Sequence, residues 1–140
     1  MDLNLHRPVT AVAYALVIVA VTFVWAGFVA NVPALRDVGG VPLIVHNPVV
    51  ALPILGAWTV LSAVLARHYL TGAPNPSAEG ITLGLVFVAA AAVFDAVVVA
   101  GIVGEGLRHF AQLVVWVGYA VLVLAPWWVG RSLGISRNTD

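Results

Sequence analysis

Charge and cysteine are the scarce features of this 140-residue chain. It has no cysteine and no lysine, and charged residues make up 9% of it against 62% hydrophobic ones. A soluble domain carries roughly 25% charged residues, so this chain has too few to cover a water-facing surface. The absence of cysteine excludes disulfides, thiolate metal sites and cysteine nucleophiles. Because six basic residues balance six acidic ones, there is also no basic excess for binding nucleic acid.

Four long apolar segments take the place of a charged surface. They cover about residues 9–30, 48–66, 81–103 and 110–129, and each is close to the ~20 residues that a helix needs to cross a bilayer core. We predict an all-α fold, an integral membrane bundle of four transmembrane helices, with residues 1–140 as a single membrane domain. The connection at 31–47 contains glycine and proline but is apolar at 41–45, and it is interpreted either as a packed loop or as a lid or docking surface.

The arginines predict the orientation. In a four-span arrangement one side carries Arg7, Arg67, Arg131 and Arg137, and the other carries Arg36 and Arg108. Basic residues next to membrane spans favour the cytoplasmic side. We therefore expect a plasma membrane protein with both termini in the cytoplasm.

Asp95 is the one formally charged residue inside a predicted span. An acid near the middle of a membrane helix costs about 2.5–3.5 kcal/mol on insertion scales, so it should have a partner, a bound proton or a function. Hydroxyl and indole donors are expected at a comparable depth, on Thr22, Trp58, Thr59, Trp116 and Tyr119. No Lys, Arg or His is expected there, so desolvation should keep Asp95 protonated and neutral.

Three interpretations of Asp95 are open. In the first, the neutral acid donates a hydrogen bond to a backbone carbonyl or to Tyr119 and locks the bundle. In the second, it exchanges its proton for a cationic or polar solute in a site formed with Thr22, Trp58, Trp116 and Tyr119, since aromatic faces attract organic cations. In the third, it pairs with a different membrane protein.

Small residues recur at every fourth position of the third segment, at Ala92, Ala96, Ala100 and Gly104. This spacing is typical of membrane helices whose backbones approach closely. It predicts a helix-packing face, either within one chain or between two copies.

Neither the histidines nor known motifs indicate an enzyme. His6 and His68 are expected near one side of the membrane and His46 and His109 near the other, without the spacing of a metal or haem site. No Gly-x-Ser-x-Gly, P-loop or His-Glu-x-x-His motif is present. We expect no catalytic residues, no metal and no cofactor.

The stretch from Phe94-Asp95 to Phe110-Ala-Gln-Leu-Val-Val-Trp116-Val-Gly-Tyr119 resembles the third and fourth helices of small, uncharacterised bacterial four-helix membrane proteins. Those proteins carry an Asp after apolar residues in the third helix and Trp-x-x-Tyr in the fourth. The resemblance implies the architecture and no activity.

Together these features predict a small, non-enzymatic polytopic membrane protein, acting as a helix-packing accessory or scaffold subunit. The alternative is a proton-linked transporter of a small solute or cation, working as an oligomer with Asp95 as the titrating carboxyl. The expected partners are the lipid bilayer and either further copies of the chain or other membrane proteins.

Overall fold

The computed structural model of the protein describes residues 5–33, 48–102, 104 and 106–137. Within these ranges the regular structure is helical: α1 is Pro8–Asn31, α2 is Pro48–Leu70, α3 is Pro76–Phe94 and α4 is Leu113–Arg137. A π-helical segment, Asp95–Ile102, continues α3, and a 3₁₀ segment, Gly106–Ala111, precedes α4. The connection predicted at 31–47 lies outside the described residues, apart from its first three.

The predicted all-helical fold with four long apolar helices is confirmed. Four stretches are long and apolar enough to cross a membrane, Pro8–Val29, Ala51–Leu70, Pro76–Ile102 and Leu113–Ser136. The largest differences from the predicted bounds are at the end of α4, at Arg137 rather than 129, at the start of α3, at Pro76 rather than 81, and at the end of α2, at Leu70 rather than 66. Helix α4 also begins at Leu113 rather than 110.

The early start of α3 follows from a cap that hydropathy does not detect. The side chain of Asn75 accepts a hydrogen bond from the backbone N–H of Ala78 over 3.3 Å, and Pro76 occupies the first helical position. Both residue types are favoured there, because asparagine satisfies a free N–H and proline has none to lose. Glu79 follows in the first turn, where the helix dipole favours a negative charge.

Helices α3 and α4 pack backbone against backbone. A Cβ atom on Gly80 would lie 2.5 Å from the carbonyl oxygen of Pro126, and one on Gly84 would lie 2.7 Å from the Cα of Val123. Pro126 lies inside α4 and has no N–H to donate to the preceding turn. The antiparallel hairpin therefore depends on glycine at two positions of α3.

The small residues predicted as a packing face lie further along the third span. Ala92 and Ala100 are half-buried, and Ala96 is exposed. Gly104 is exposed and lies beyond the helix, with a φ of +85°. These positions are separate from the glycine contacts with α4, and packing between copies of the chain at this stripe stays a prediction.

The core is formed by all four helices. Its largest fully buried side chains include Ile18 of α1, Tyr69 of α2, Phe87 of α3 and Leu122 of α4. The outer surface is apolar as well, with Val9, Phe23, Val24, Val60, Val93 and Trp128 each more than half exposed. Among the described residues two carboxyl groups are buried, those of Glu79 and Asp95, at opposite ends of the third span.

Candidate functional site

Asp95 is the first residue of the π-helical segment and is 5% exposed. The hydroxyl of Tyr119 on α4 donates a hydrogen bond to its Oδ2 over 2.6 Å, near the short end of the usual O–H···O range. Tyr119 is itself buried. π-helical turns occur frequently at functional sites, and here the turn begins at the buried acid.

His109 is the second partner of Asp95, and it corrects the sequence-based expectation that no Lys, Arg or His lies at this depth. Its Nε2 is 3.3 Å from Asp95 Oδ2, and its side chain is buried. Neither ring nitrogen of His109 has a hydrogen-bond partner among the described residues. The acid therefore has an imidazole beside it, and the pair becomes an ion pair when the imidazole is protonated.

The path of the chain between α3 and α4 explains this position. Gly104 and Gly106 have φ values of +85° and +57°, which glycine adopts without steric cost. The 3₁₀ segment that follows carries His109 inward before α4 begins at Leu113. A fourth helix that begins at residue 110, as the hydropathy predicts, places His109 near the membrane surface. The closely spaced Gly104 and Gly106 are the sequence signal for the tighter turn that moves it inward.

A cavity of about 90 Å³ adjoins this cluster. All four helices and the segment between α3 and α4 contribute to its wall, which is formed by Thr22, Ala26, Ala51, Ile54, Leu55, Trp58, Phe94, Asp95, Val99, His109, Gln112, Val114 and Val115. Asp95 and His109 are the ionisable members of this set. A space of this size holds a few water molecules or one small solute.

Trp58 and Thr22 form the side of the cavity between α1 and α2. The indole N–H of Trp58 donates to Thr22 Oγ1 over 2.8 Å, and the Thr22 hydroxyl donates to the Ile18 carbonyl over 2.9 Å. The ring of Trp58 lies against Gly118 of α4, where an added Cβ would be 2.5 Å from its Cζ3. These contacts determine the orientation of the indole ring in the cavity wall.

Trp116 has a different position from the other predicted site residues. It is 56% exposed, and its indole N–H donates to the carbonyl of Phe110 over 2.8 Å. Its ring meets that of Tyr119 edge to face, with centroids 5.9 Å apart. The structure thus places Asp95, Trp58 and Thr22 in the wall of one cavity. Tyr119 hydrogen-bonds to Asp95, whereas Trp116 faces outward beside the 3₁₀ segment.

The cluster can hold or release a proton next to the cavity. A proton on Asp95 with neutral His109, and a proton on His109 with ionised Asp95, give the same total charge, and the 3.3 Å contact lets either group hold it. Loss of that proton leaves one negative charge in a wall whose other side chains are uncharged. A cation in the cavity stabilises that state, because opposite charges attract strongly where water is excluded. The described residues contain no group of three His, Cys, Asp or Glu side chains that could hold a metal ion.

Comparisons of the chain with protein-family models, with curated proteins and with solved structures find no match.

Proposed function

We propose that this protein is an integral membrane protein that binds a small organic cation beside Asp95 and exchanges it for a proton. Its membrane location is supported by four helices of spanning length and by the large apolar side chains on the outer surface. A contiguous apolar surface of this kind is uncommon in soluble monomers. As part of the proposal, both termini face the cytoplasm, as the arginine distribution favours.

The observation that carries the proposal is a buried acid–imidazole pair in the wall of a cavity surrounded by four apolar helices. Ionisable residues within membrane spans are costly, and they mark substrate or proton pathways by default. Asp95 has its proton-holding neighbour His109 at 3.3 Å and a hydroxyl donor, Tyr119, at 2.6 Å. A carboxyl that served only to lock two helices together needs the hydroxyl but has no need of the cavity.

The cavity favours a small, flat cation over a bulky one. Its volume of about 90 Å³ leaves room for a solute of a few heavy atoms. The wall includes both the carboxyl group of Asp95 and the indole of Trp58. A guanidinium ion matches both, because it forms paired hydrogen bonds with a carboxylate and stacks on aromatic rings.

Exchange follows from the charge balance of the site. Entry of a cation adds one positive charge to a space with few polar groups to solvate it, and departure of one proton from Asp95 and His109 removes one. A site that held the cation and the proton at the same time would carry an extra positive charge. Repulsion between the two in a low-dielectric environment disfavours that state. The cation and the proton therefore replace each other, and the total charge of the loaded site is the same with either.

This proposal takes up the transport alternative of the sequence-based predictions. The accessory or scaffold role stays a prediction, with no contact among the described residues that favours it. The lining residues of the cavity come from a single chain. One copy is therefore sufficient for binding, and assembly into an oligomer is not required by the site.

Transport is tested in vesicles containing the purified protein and a trapped pH-sensitive dye. An outward gradient of guanidinium should acidify the vesicle interior, because each departing cation is replaced by an entering proton. Guanidinium stays charged at neutral pH, so it carries no proton across by itself. The exchange is electroneutral, and clamping the membrane potential at zero should leave its rate unchanged.

Asp95→Asn should abolish the acidification, since an amide neither releases a proton nor pairs with the cation. Thr59→Val is the matched control. The sequence predicts Thr59 at a depth similar to that of Asp95, but its side chain is exposed and its hydroxyl donates to the Leu55 carbonyl of its own helix. That variant should behave like the wild type. Equal acidification by Asp95→Asn and wild type contradicts the proposal.

A further inference from the structure

An apolar groove of about 550 Å³ lies between α1 and the third span, Pro76–Ile102. Four residues of α1 and seven of the third span line it, and all of them are apolar. They include Ala15, Ala89 and Ala90, which leave space between the two helices because each carries only a methyl group. Val93 in the same wall is more than half exposed. The groove is therefore open to the surroundings, which for the proposed membrane protein are lipid chains.

The groove and the cation cavity described above are next to each other. On α1, Val19 lines the groove, and Thr22, one turn further on, lines the cavity. In the π-helical segment, Val98 lines the groove and its neighbour Val99 lines the cavity. Among the residues that the structure describes, only Phe94 belongs to both walls. The two spaces therefore meet at this residue.

Phe94 is held on the α1 side of the buried acid. It is the last residue of α3 and directly precedes Asp95. Its ring meets that of Phe23 on α1 edge to face, with centroids 6.3 Å apart, a distance within the range that aromatic pairs favour. Asp95 instead accepts its hydrogen bond from Tyr119 on α4. The two neighbours thus contact different helices at nearly the same depth, since the rise per residue is about 1.5 Å.

The cavity and the groove differ in what they can bind. The cavity has the carboxyl group of Asp95 but a volume of only about 90 Å³, which leaves no room for a hydrocarbon chain on a bound cation. The groove has the volume and the apolar lining that such a chain needs, but no charged side chain in its wall. A cation that occupied both would place its charged head at Asp95 and its chain between α1 and the third span. Phe94 stands where the two parts would join.

We propose that Phe94 is a specificity-determining residue, whose ring separates the cation cavity from the groove and restricts the site to cations without a hydrocarbon chain. This inference rests on the proposed function and defines its substrate class more narrowly. Guanidinium and similarly compact cations bind, and alkylguanidinium ions with the same head group are excluded. Replacing the ring with a methyl group joins the two spaces without any movement of the helices. The head group then pairs with Asp95 and the chain lies in the groove.

The test compares the affinities of guanidinium and hexylguanidinium, each measured by proton release from the purified protein in detergent solution. The wild type should bind hexylguanidinium roughly 10- to 200-fold more weakly than guanidinium, the discrimination that even one methylene causes in a fitted pocket. In Phe94→Ala the ratio of the two affinities should approach about one or reverse, because the chain can leave water for an apolar groove.

Phe28→Ala is the matched control. It makes the same substitution on α1, at a residue that is more than half exposed and lines neither the cavity nor the groove. Its ratio of affinities should equal that of the wild type. A change in Phe28→Ala as large as in Phe94→Ala overturns the inference, because the effect would then not depend on the wall between the two spaces.

A second substitution locates the hydrocarbon chain. Ala89 lines the groove but not the cavity, and its side chain is exposed. It lies about 7.5 Å from Phe94 along the helix axis, within reach of a hexyl chain. Ala89→Leu in the Phe94→Ala background should therefore fill the groove and reverse the gain in affinity for hexylguanidinium. A double variant that keeps the gain overturns the inference.

The outcomes separate the two possible failures. If guanidinium releases no protons from the wild type, the proposed function is overturned and this inference with it. If guanidinium releases protons but the ratio of affinities is the same in the wild type and in Phe94→Ala, this inference alone is overturned. Equal affinities of the wild type for both cations have the same consequence. If Phe94→Ala does not fold, Phe94→Val replaces it, since valine is also smaller than the ring, and an unchanged ratio again overturns the inference.

Discussion

The Tyr119 hydroxyl on α4 donates a 2.6 Å hydrogen bond to Asp95 at the end of α3, and both side chains are buried. At the other end of the same hairpin the two helices meet through Gly80 and Gly84 with no side chain between their backbones. The close glycine contacts therefore determine the separation of α3 and α4, and that separation brings the phenol within reach of the acid. The same geometry leaves His109 beside Asp95 at the wall of the cavity.

Tyr119→Phe should destabilise the protein by about 1–3 kcal/mol, the usual cost of leaving a buried polar group without its partner. Thermal unfolding in detergent measures this change, and Tyr14→Phe serves as the control because its hydroxyl bonds His68 at an exposed position. In the double variant with Asp95→Asn the two effects should not add, since residues in direct contact couple by about 0.5–3 kcal/mol. Simple additivity of the two changes contradicts a direct bond between them.

Gly118→Ala should weaken guanidinium binding, because the new methyl group would meet the ring of Trp58 and push it towards the cavity. Overpacking of this kind also costs about 1–3 kcal/mol of stability. Gly56→Ala is the matched control: Gly56 is also helical, and a Cβ there has nothing within 4 Å. That change should be neutral or should stabilise by about 0.4–1 kcal/mol. Equal affinities of the two variants for guanidinium argue against Trp58 as part of the binding site.

Single cysteines at Thr71 and Leu107 should be labelled from opposite sides of the membrane. Both positions are exposed, one directly after α2 and the other in the 3₁₀ segment between α3 and α4. The chain has no cysteine of its own, so each variant carries a single reactive thiol. In intact cells an impermeant reagent should reach the cysteine at 107, with the one at 71 protected until the membrane is opened. Labelling of both from outside rules out the four-span arrangement.

Hydropathy was sufficient to predict the four helices, because ~20 apolar residues in a row have few alternatives to a membrane span. The ends of the helices needed other information. The start of α3 depends on the Asn75 cap, and the start of α4 depends on a 3₁₀ turn after two glycines with positive φ. Both are local backbone features, and a hydropathy value averaged over about 20 residues does not detect them.

The candidate site was predictable in part for the same reason. Asp95, Tyr119, Thr22 and Trp58 lie in regular helices or at their junction, so their depth follows from the rise per residue. His109 lies in the turn, and its inward position depends on the path of the chain there. Glu79 was not singled out, because the predicted third span began at 81, after this residue. Its burial follows in part from its contact with His6, which is distant in sequence.

The central claim is that a cation and a proton compete for Asp95, and proton release in weakly buffered detergent solution measures this directly. Addition of guanidinium to the wild-type protein should release up to one proton for each cation bound, and the apparent affinity should fall as the pH is lowered. Asp95→Asn should release none and should bind guanidinium roughly 10- to 100-fold more weakly, the loss expected when a hydrogen bond to a charged group is removed. Binding of guanidinium with no release of protons, or equal release from wild type and Asp95→Asn, contradicts the claim.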